Sequence, residues 1–188
     1  MRTTRADGRR DRRLGLNKIF WGLLFLFFNF NINNVDILPN FVGYLLIAFG
    51  MSEVKESKAL ASTQPLASGA AFYAIATWIM DLLGASLGWI SALLGMISLA
   101  LQLLVTYRIV MGVKELEPIH ECDLGSGALN KAWQIMALGS VLGYLLFLLA
   151  PVAAAAAIIV AFLAAVYYIY RFYQSKTNYD TGLGGGQS

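Results

Sequence analysis

One histidine and one cysteine, His120 and Cys122, are all that this chain offers to a soft metal or a disulfide. A tetrahedral nitrogen–sulfur site takes four such ligands, so no metal or other cofactor is expected. The motif Pro118-Ile-His-Glu-Cys-Asp123 is better explained as a lone cytoplasmic thiol in a solvated linker. A single cysteine also excludes an intrachain disulfide. Charge is scarce as well. Charged residues make up 13% of the 188, against about 25% in a soluble domain. Between Lys131 and Arg171 lie 39 residues without any charge, and between Lys58 and Arg108 the only one is Asp81. Such a chain lacks the means to cover a water-facing surface.

What fills the sequence instead is apolar: 58% hydrophobic residues and a mean hydropathy of +0.63. A bilayer core of ~30 Å takes ~20 apolar helical residues per crossing, so each charge-poor stretch is about two crossings long. Charged linkers separate three apolar hairpins, at about 19–52, 66–113 and 132–173. The first breaks near Asn33–Pro39, the second at Gly84-Ala-Ser-Leu-Gly88, the third at Pro151. Only helices and closed barrels satisfy their backbone in lipid, and these runs lack the period-two alternation of a membrane barrel. The expected fold is an all-α integral membrane protein of about six transmembrane helices in one membrane domain, 19–173. A basic cytoplasmic arm, 1–18, would precede it, and a disordered cytoplasmic tail, 174–188, would follow.

Basic residues give the orientation. Seven of the fourteen Lys and Arg precede the first run, and the other seven lie in or beside the linkers and after the last run. None lies in the three hairpin turns, where Asp36 and Asp81 carry the only charges. Cytoplasmic loops are the ones enriched in Lys and Arg, so both termini and both linkers are expected in the cytoplasm. A re-entrant first hairpin would give the same pattern. Its 34 residues make ~51 Å of helix for two ~30 Å crossings, and a full but thin pair of spans is the reading preferred here. In the turn, Asp36 is a candidate N-cap for the second helix, with Pro39 in its first turn. The arginine-rich amino terminus resembles an export signal or a nucleic-acid arm. No small-residue cleavage site follows Phe28 before the next apolar run, so an orienting arm that touches anionic lipid is preferred and no nucleic-acid partner is expected.

Small residues let helices approach in lipid. Gly139 and Gly143 form a GxxxG in the fifth span, and Ala153, Ala157, Ala161 and Ala165 recur every fourth residue along the sixth. These faces predict close packing of spans five and six, or an oligomer contact. Trp21, Trp133 and the aromatic cluster Tyr167–Tyr173 suit anchoring at the interface. A parallel repeat is faintly visible, Tyr44–Gly50 before Glu53–Glu56 matching Tyr107–Gly112 before Val113–Glu117.

Catalytic chemistry is hard to find. The histidine lies outside the apolar runs, Gly184-Gly-Gly186 lacks the Lys and Ser/Thr of a phosphate loop, and no enzyme activity is expected. Gln102, Asn29, Thr77, Ser98, Thr106, Gln134 and Ser140 either bond between helices or line a small polar path. Asp36 and Asp81 either stand as independent interfacial carboxylates or form an outward-facing cation or solute site.

The segment Val35-Asp-Ile-Leu-Pro-Asn-Phe-Val-Gly-Tyr44 resembles that of a family of small, uncharacterised multi-pass membrane proteins of Gram-positive, Bacillus-like bacteria, which carry Asp-Ile-Leu-Pro-Asp/Asn-Phe-Ile/Val-Gly-Tyr after a first apolar run. Tyr107–Glu117 with Cys122-Asp-Leu is similar to their central linker, while the alanine-rich last span and both tails fall outside the likeness. The resemblance implies a bacterial plasma-membrane location and brings no activity. The expected role is a non-catalytic membrane component or partner subunit in contact with lipid, as a homo-oligomer or beside another membrane protein. The alternative is a small uncoupled transporter or channel-forming oligomer.

Overall fold

The computed structural model describes residues 3–28, 31–32, 35–36, 40–84 and 89–184, with side chains for 14–28, 40–84, 89–147, 150 and 152–181. Among them are six helices and one two-residue strand pair: α1 Thr3–Phe27, β1 Asn31–Ile32, β2 Val35–Asp36, α2 Asn40–Glu53, α3 Lys58–Leu82, α4 Trp89–His120, α5 Ser126–Leu149 and α6 Pro151–Gly184. The protein is helical, and two helices, α4 and the Val152–Thr181 part of α6, are long and apolar enough to cross a membrane. Two compact units divide the chain, Met1–Gly112 and Val113–Ser188.

In the first unit, α1 and α2 lie antiparallel with their backbones in contact. Gly15 and Gly22 are seven residues apart on α1, and so are Gly43 and Gly50 on α2. Seven residues are close to two helical turns, so each pair lies on one face of its helix. The two faces match: a Cβ at Gly22 would come 2.7 Å from the carbonyl oxygen of Gly43, and one at Gly50 would come 2.5 Å from that of Gly15. No side chain fits there. Around this seam Leu16, Ile19, Leu23, Ile47 and Met51 are buried. Lys18 pairs with Glu53 at the open end of the hairpin.

At the turn, β1 and β2 pair antiparallel, Asn31 opposite Asp36 and Ile32 opposite Val35. Asp36 is a strand residue of β2, and its expected capping role, with Pro39 in the first turn, falls on residues 37–39 and a side chain that lie outside the described residues. The described α2 has 14 residues, or ~21 Å.

Helix α3 starts at Lys58, well before the expected Leu66, because Ser57 caps it. The Ser57 backbone is extended (φ −90°, ψ 116°) and its Oγ accepts from Leu60 N at 3.2 Å. Capping of this kind is worth ~1 kcal/mol, and it draws the polar linker into the helix. Antiparallel to α3, α4 lies close enough at Gly112 that the Leu60 side chain occupies the space of a Cβ. Tyr73 Oη donates to the Leu94 carbonyl at 2.6 Å.

In the second unit α5 packs antiparallel on α6. A Cβ at Gly139 would lie 3.1 Å from Ala161, and one at Gly143 would lie 3.0 Å from Ile158 and 3.8 Å from Ala157. Ala161 and Ala165 are buried, but Ala153 is exposed and Ala154 takes its place. A spacing of four drifts ~40° per step around a helix of 3.6 residues per turn. The buried face instead follows a repeat near 3.5, through Ala154, Ala161, Ala165, Tyr168, Phe172, Ser175 and Tyr179. Tyr168 and Phe172 are thus core residues, while Tyr167, Tyr170 and Tyr173 remain exposed in the way interfacial anchors are.

The linker between α4 and α5 is folded, with Glu121 and Asp123 still exposed. Glu117 accepts from Ser126 N at 2.8 Å and from Ser126 Oγ at 2.5 Å, capping α5 from the preceding helix. Asp123 Oδ1 accepts from Gly125 N at 2.7 Å, and Asn178 Nδ2 donates to the Asp123 carbonyl at 3.2 Å. The rings of His120 and Tyr179 meet edge to face at 4.8 Å. These contacts need α6 to continue past the expected boundary at Gln174. It does, as one helix of 34 residues to Gly184, supported by Gln174 between Arg171 and the Tyr170 hydroxyl. Only the last four residues of the expected disordered tail, 185–188, fall outside the described chain.

Glycine packing in α1 and α2 predicts a sharp asymmetry between glycines. In detergent, Gly50→Val should lower the apparent Tm by several degrees, corresponding to ~1–3 kcal/mol of overpacking. Gly69→Ala on α3, where nothing lies within 4 Å, should leave it unchanged or slightly raised. Thermal unfolding followed by far-UV circular dichroism checks both, and equal shifts would contradict the backbone contact.

Candidate functional site

Polar residues that were scattered in sequence meet where α3 ends and α4 begins. On α3, Ala74, Thr77, Trp78 and Asp81 follow the i, i+3, i+4, i+7 spacing of one helical face. On α4, Ser91, Leu94, Gly95 and Ser98 repeat the same spacing. The two faces, with Met80 and Asn40 at the start of α2, enclose a cleft of about 230 Å³. Gly84, with φ +67°, lets the chain leave α3 beneath it. A left-handed glycine just past the last helical residues is a common helix stop.

One wall is aromatic. Trp78 meets the Phe41 ring edge to face at 5.7 Å, which fixes the indole plane. The polar wall is short of positive charge, since among the described residues no Lys, Arg or His lines the cleft. Thr77 Oγ1 donates back to its own helix, towards the Tyr73 and Ala74 carbonyls at 3.2 and 3.1 Å. Its lone pairs remain for another donor. Asn40 Oδ1 is hidden from solvent, and so from the open cleft, and has no hydrogen-bond partner among the described residues. Asp81 is exposed at the edge. The cleft therefore sets a carboxylate and hydroxyl oxygens beside an aromatic wall.

Of the residues singled out from sequence, Asp81, Thr77 and Ser98 come together here. Gln102, one turn beyond Ser98, does not line the cleft. Asp36 sits in β2, and its side chain, with the expected pairing of Asp36 and Asp81, lies outside the described residues. Gly139, Gly143, Ala157, Ala161 and Ala165 serve the α5–α6 seam. Asn40, Trp78 and Ser91 were missed. Ser91 and Ser98, seven residues apart, share one face of α4, as Thr77 and Asp81, four apart, share one face of α3, and those two polar faces were the available signal.

Among the described residues no group of three or more His, Cys, Asp and Glu is placed to hold a metal. Cys122 stands half-buried in the second linker. Burial first, then the nearby carboxylates of Glu117 and Asp123, push its thiol above the ordinary range. No family model, curated protein or solved structure matches the chain.

A raised thiol pKa leaves less thiolate at neutral pH, and the thiolate is the nucleophile. Alkylation of Cys122 in purified protein should therefore be slower at pH 7 than that of an unstructured cysteine peptide. Its rate should climb to a plateau at higher pH than the peptide's, and Asp123→Asn should move the curve towards lower pH. Stopped reactions with a maleimide, analysed by mass spectrometry, test this; a curve that coincides with the peptide's contradicts the buried, anionic setting.

Proposed function

We propose that this chain is an integral plasma-membrane protein of six helical spans, with both termini in the cytoplasm, acting as a non-catalytic membrane component or partner subunit. The observation that carries the reading is the apolar surface left outside the helix seams. Phe72, Trp89 and Val152 are 74%, 74% and 88% exposed, and exposed aliphatic side chains continue along α4, α5 and α6. A surface patch of this extent in a soluble monomer would drive association, whereas lipid tails cover it without cost. Helices α3 to α6, with 25, 32, 24 and 34 residues, are ~36–51 Å long and exceed the ~30 Å core. The sorting of Lys and Arg supports the cytoplasmic placement of termini and linkers.

The first hairpin is the exception. The apolar part of α1, Leu14–Phe27, and the whole of α2 are each 14 residues, or ~21 Å. In the proposed arrangement the bilayer thins locally and the β1–β2 turn reaches the outer headgroups. Kinship with the Gram-positive membrane family rests on the Val35–Tyr44 segment and, more loosely, on Tyr107–Glu117 with Cys122-Asp-Leu. A second reading, a small uncoupled transporter or channel-forming oligomer, is favoured by the polar cleft at the end of α3 and α4. Stoichiometric capture of a membrane partner supports the first reading. Solute flux in liposomes that Asp81→Asn or Asp36→Asn abolishes supports the second.

Orientation has a direct test because Cys122 is the only thiol. A membrane-impermeant thiol reagent should label it only after cells are permeabilised. In a Cys122→Ser background, Asn34→Cys should be labelled in intact cells. Labelling of Cys122 from outside overturns the orientation, and protection of the residue-34 thiol from outside makes the first hairpin re-entrant.

A further inference from the structure

We infer that the cleft between α3 and α4 is a binding site for a small organic ammonium group, with Asp81 as its counter-charge and the Trp78 indole as its apolar and cation-accepting wall. This goes beyond the proposed role by naming a ligand class. It rests on the membrane reading only for access from the outer face.

Three features of the cleft agree on the sign and kind of ligand. The first is charge. Among the described residues Asp81 has no ion-pair partner and the lining contains no basic residue. A carboxylate at the edge of a cleft without a counter-ion favours a cation. The second is hydrogen bonding. Thr77 has spent its donor on its own helix, so its oxygen can only accept, and the several N–H groups of an ammonium are suited to such an acceptor. The third is the aromatic wall. Indole is the best of the aromatic faces for a cation, and the Phe41 contact holds it in place.

Size and wall chemistry narrow the choice further. At about 230 Å³ the cleft falls below the ~300–1,000 Å³ of sites for drug-sized molecules. A bare divalent ion is a poor fit, because Ca²⁺ takes 6–8 oxygen ligands and half of this lining is Ala, Trp, Met, Leu and Gly. A short-chain primary amine satisfies the carboxylate, the acceptors and the apolar wall together. That chemistry has two sources, a free amine in the aqueous phase or the ethanolamine headgroup of a neighbouring lipid.

The test uses the full chain in lipid nanodiscs, which are open on both faces, so that orientation in the cell does not enter the result. Trp21→Phe, Trp89→Phe and Trp133→Phe leave Trp78 as the only indole. Titration with ethanolamine in phosphatidylglycerol discs should give a saturable change in its fluorescence at constant ionic strength. A change present from the outset in discs containing phosphatidylethanolamine, and absent with phosphatidylcholine, assigns the headgroup as the source. A change on free ethanolamine alone assigns the soluble amine. Asp81→Asn should weaken half-saturation by about tenfold or more, the scale of one charge-assisted contact. Asp123→Asn in the linker should have no effect. Ser98→Leu, which fills the cleft without touching the charge, should also abolish the change. A non-saturating response, displacement by equal concentrations of Na⁺, or saturation unaltered in both Asp81→Asn and Ser98→Leu overturns the inference.

Discussion

Contact between helix backbones is the constraint on which the described structure turns. Between helices in lipid there is little hydrophobic gain, because a lipid tail is as apolar as a leucine. What remains is van der Waals contact, which falls off within an ångström of its optimum, and weak Cα–H···O contacts between backbones. Both reward the removal of side chains at the seam. Gly15, Gly22, Gly43 and Gly50 do this for α1 and α2, and Gly139 and Gly143 do it against the alanines of α6. A single Cβ at the first seam would sit inside a neighbouring carbonyl. The large side chains, Ile19, Leu23, Ile47 and Met51 among them, then fill the flanks.

Polar chemistry is pushed to the helix ends by the same economy of space. At one end of α3 and α4 it collects as the cleft of Asp81, Thr77, Ser91, Ser98 and Asn40. In the second unit it collects as a cap, where Glu117 holds the start of α5 and Asn178 holds the Asp123 carbonyl. In the cap Glu117 bonds Ser126 and Asn178 bonds the Asp123 carbonyl. The cleft, among the described residues, has a carboxylate with no basic residue in its lining, and that is what gives it a functional reading.

Much of this was legible in the residues. Charge gaps located the helical pairs, and the break at Pro151 became the first residue of α6, a position where its missing N–H costs nothing. Element ends were read less well, for local reasons. Ser57 extends α3 backwards over polar residues that hydropathy alone rejects. Tyr179, buried against the linker, extends α6 through a segment whose composition resembles a flexible tail. The glycine seam of α1 and α2 does not follow the spacing of four that marks close packing within one helix; its glycines are seven apart and matched across a hairpin. Asp81, Thr77 and Ser98 were legible one by one, but not as neighbours. Asn40 reaches them only through the packing of α2 on α3, which no one-dimensional pattern states.

The central claim, that apolar helices of this chain are covered by lipid and not by protein or water, has a plain measurement. Membranes from cells producing the full chain are washed with alkaline carbonate, which strips proteins held by charge or by partners and leaves those embedded in the bilayer. The account predicts that the chain stays in the membrane pellet and is released only by detergent. Recovery of the chain in the carbonate supernatant would contradict it.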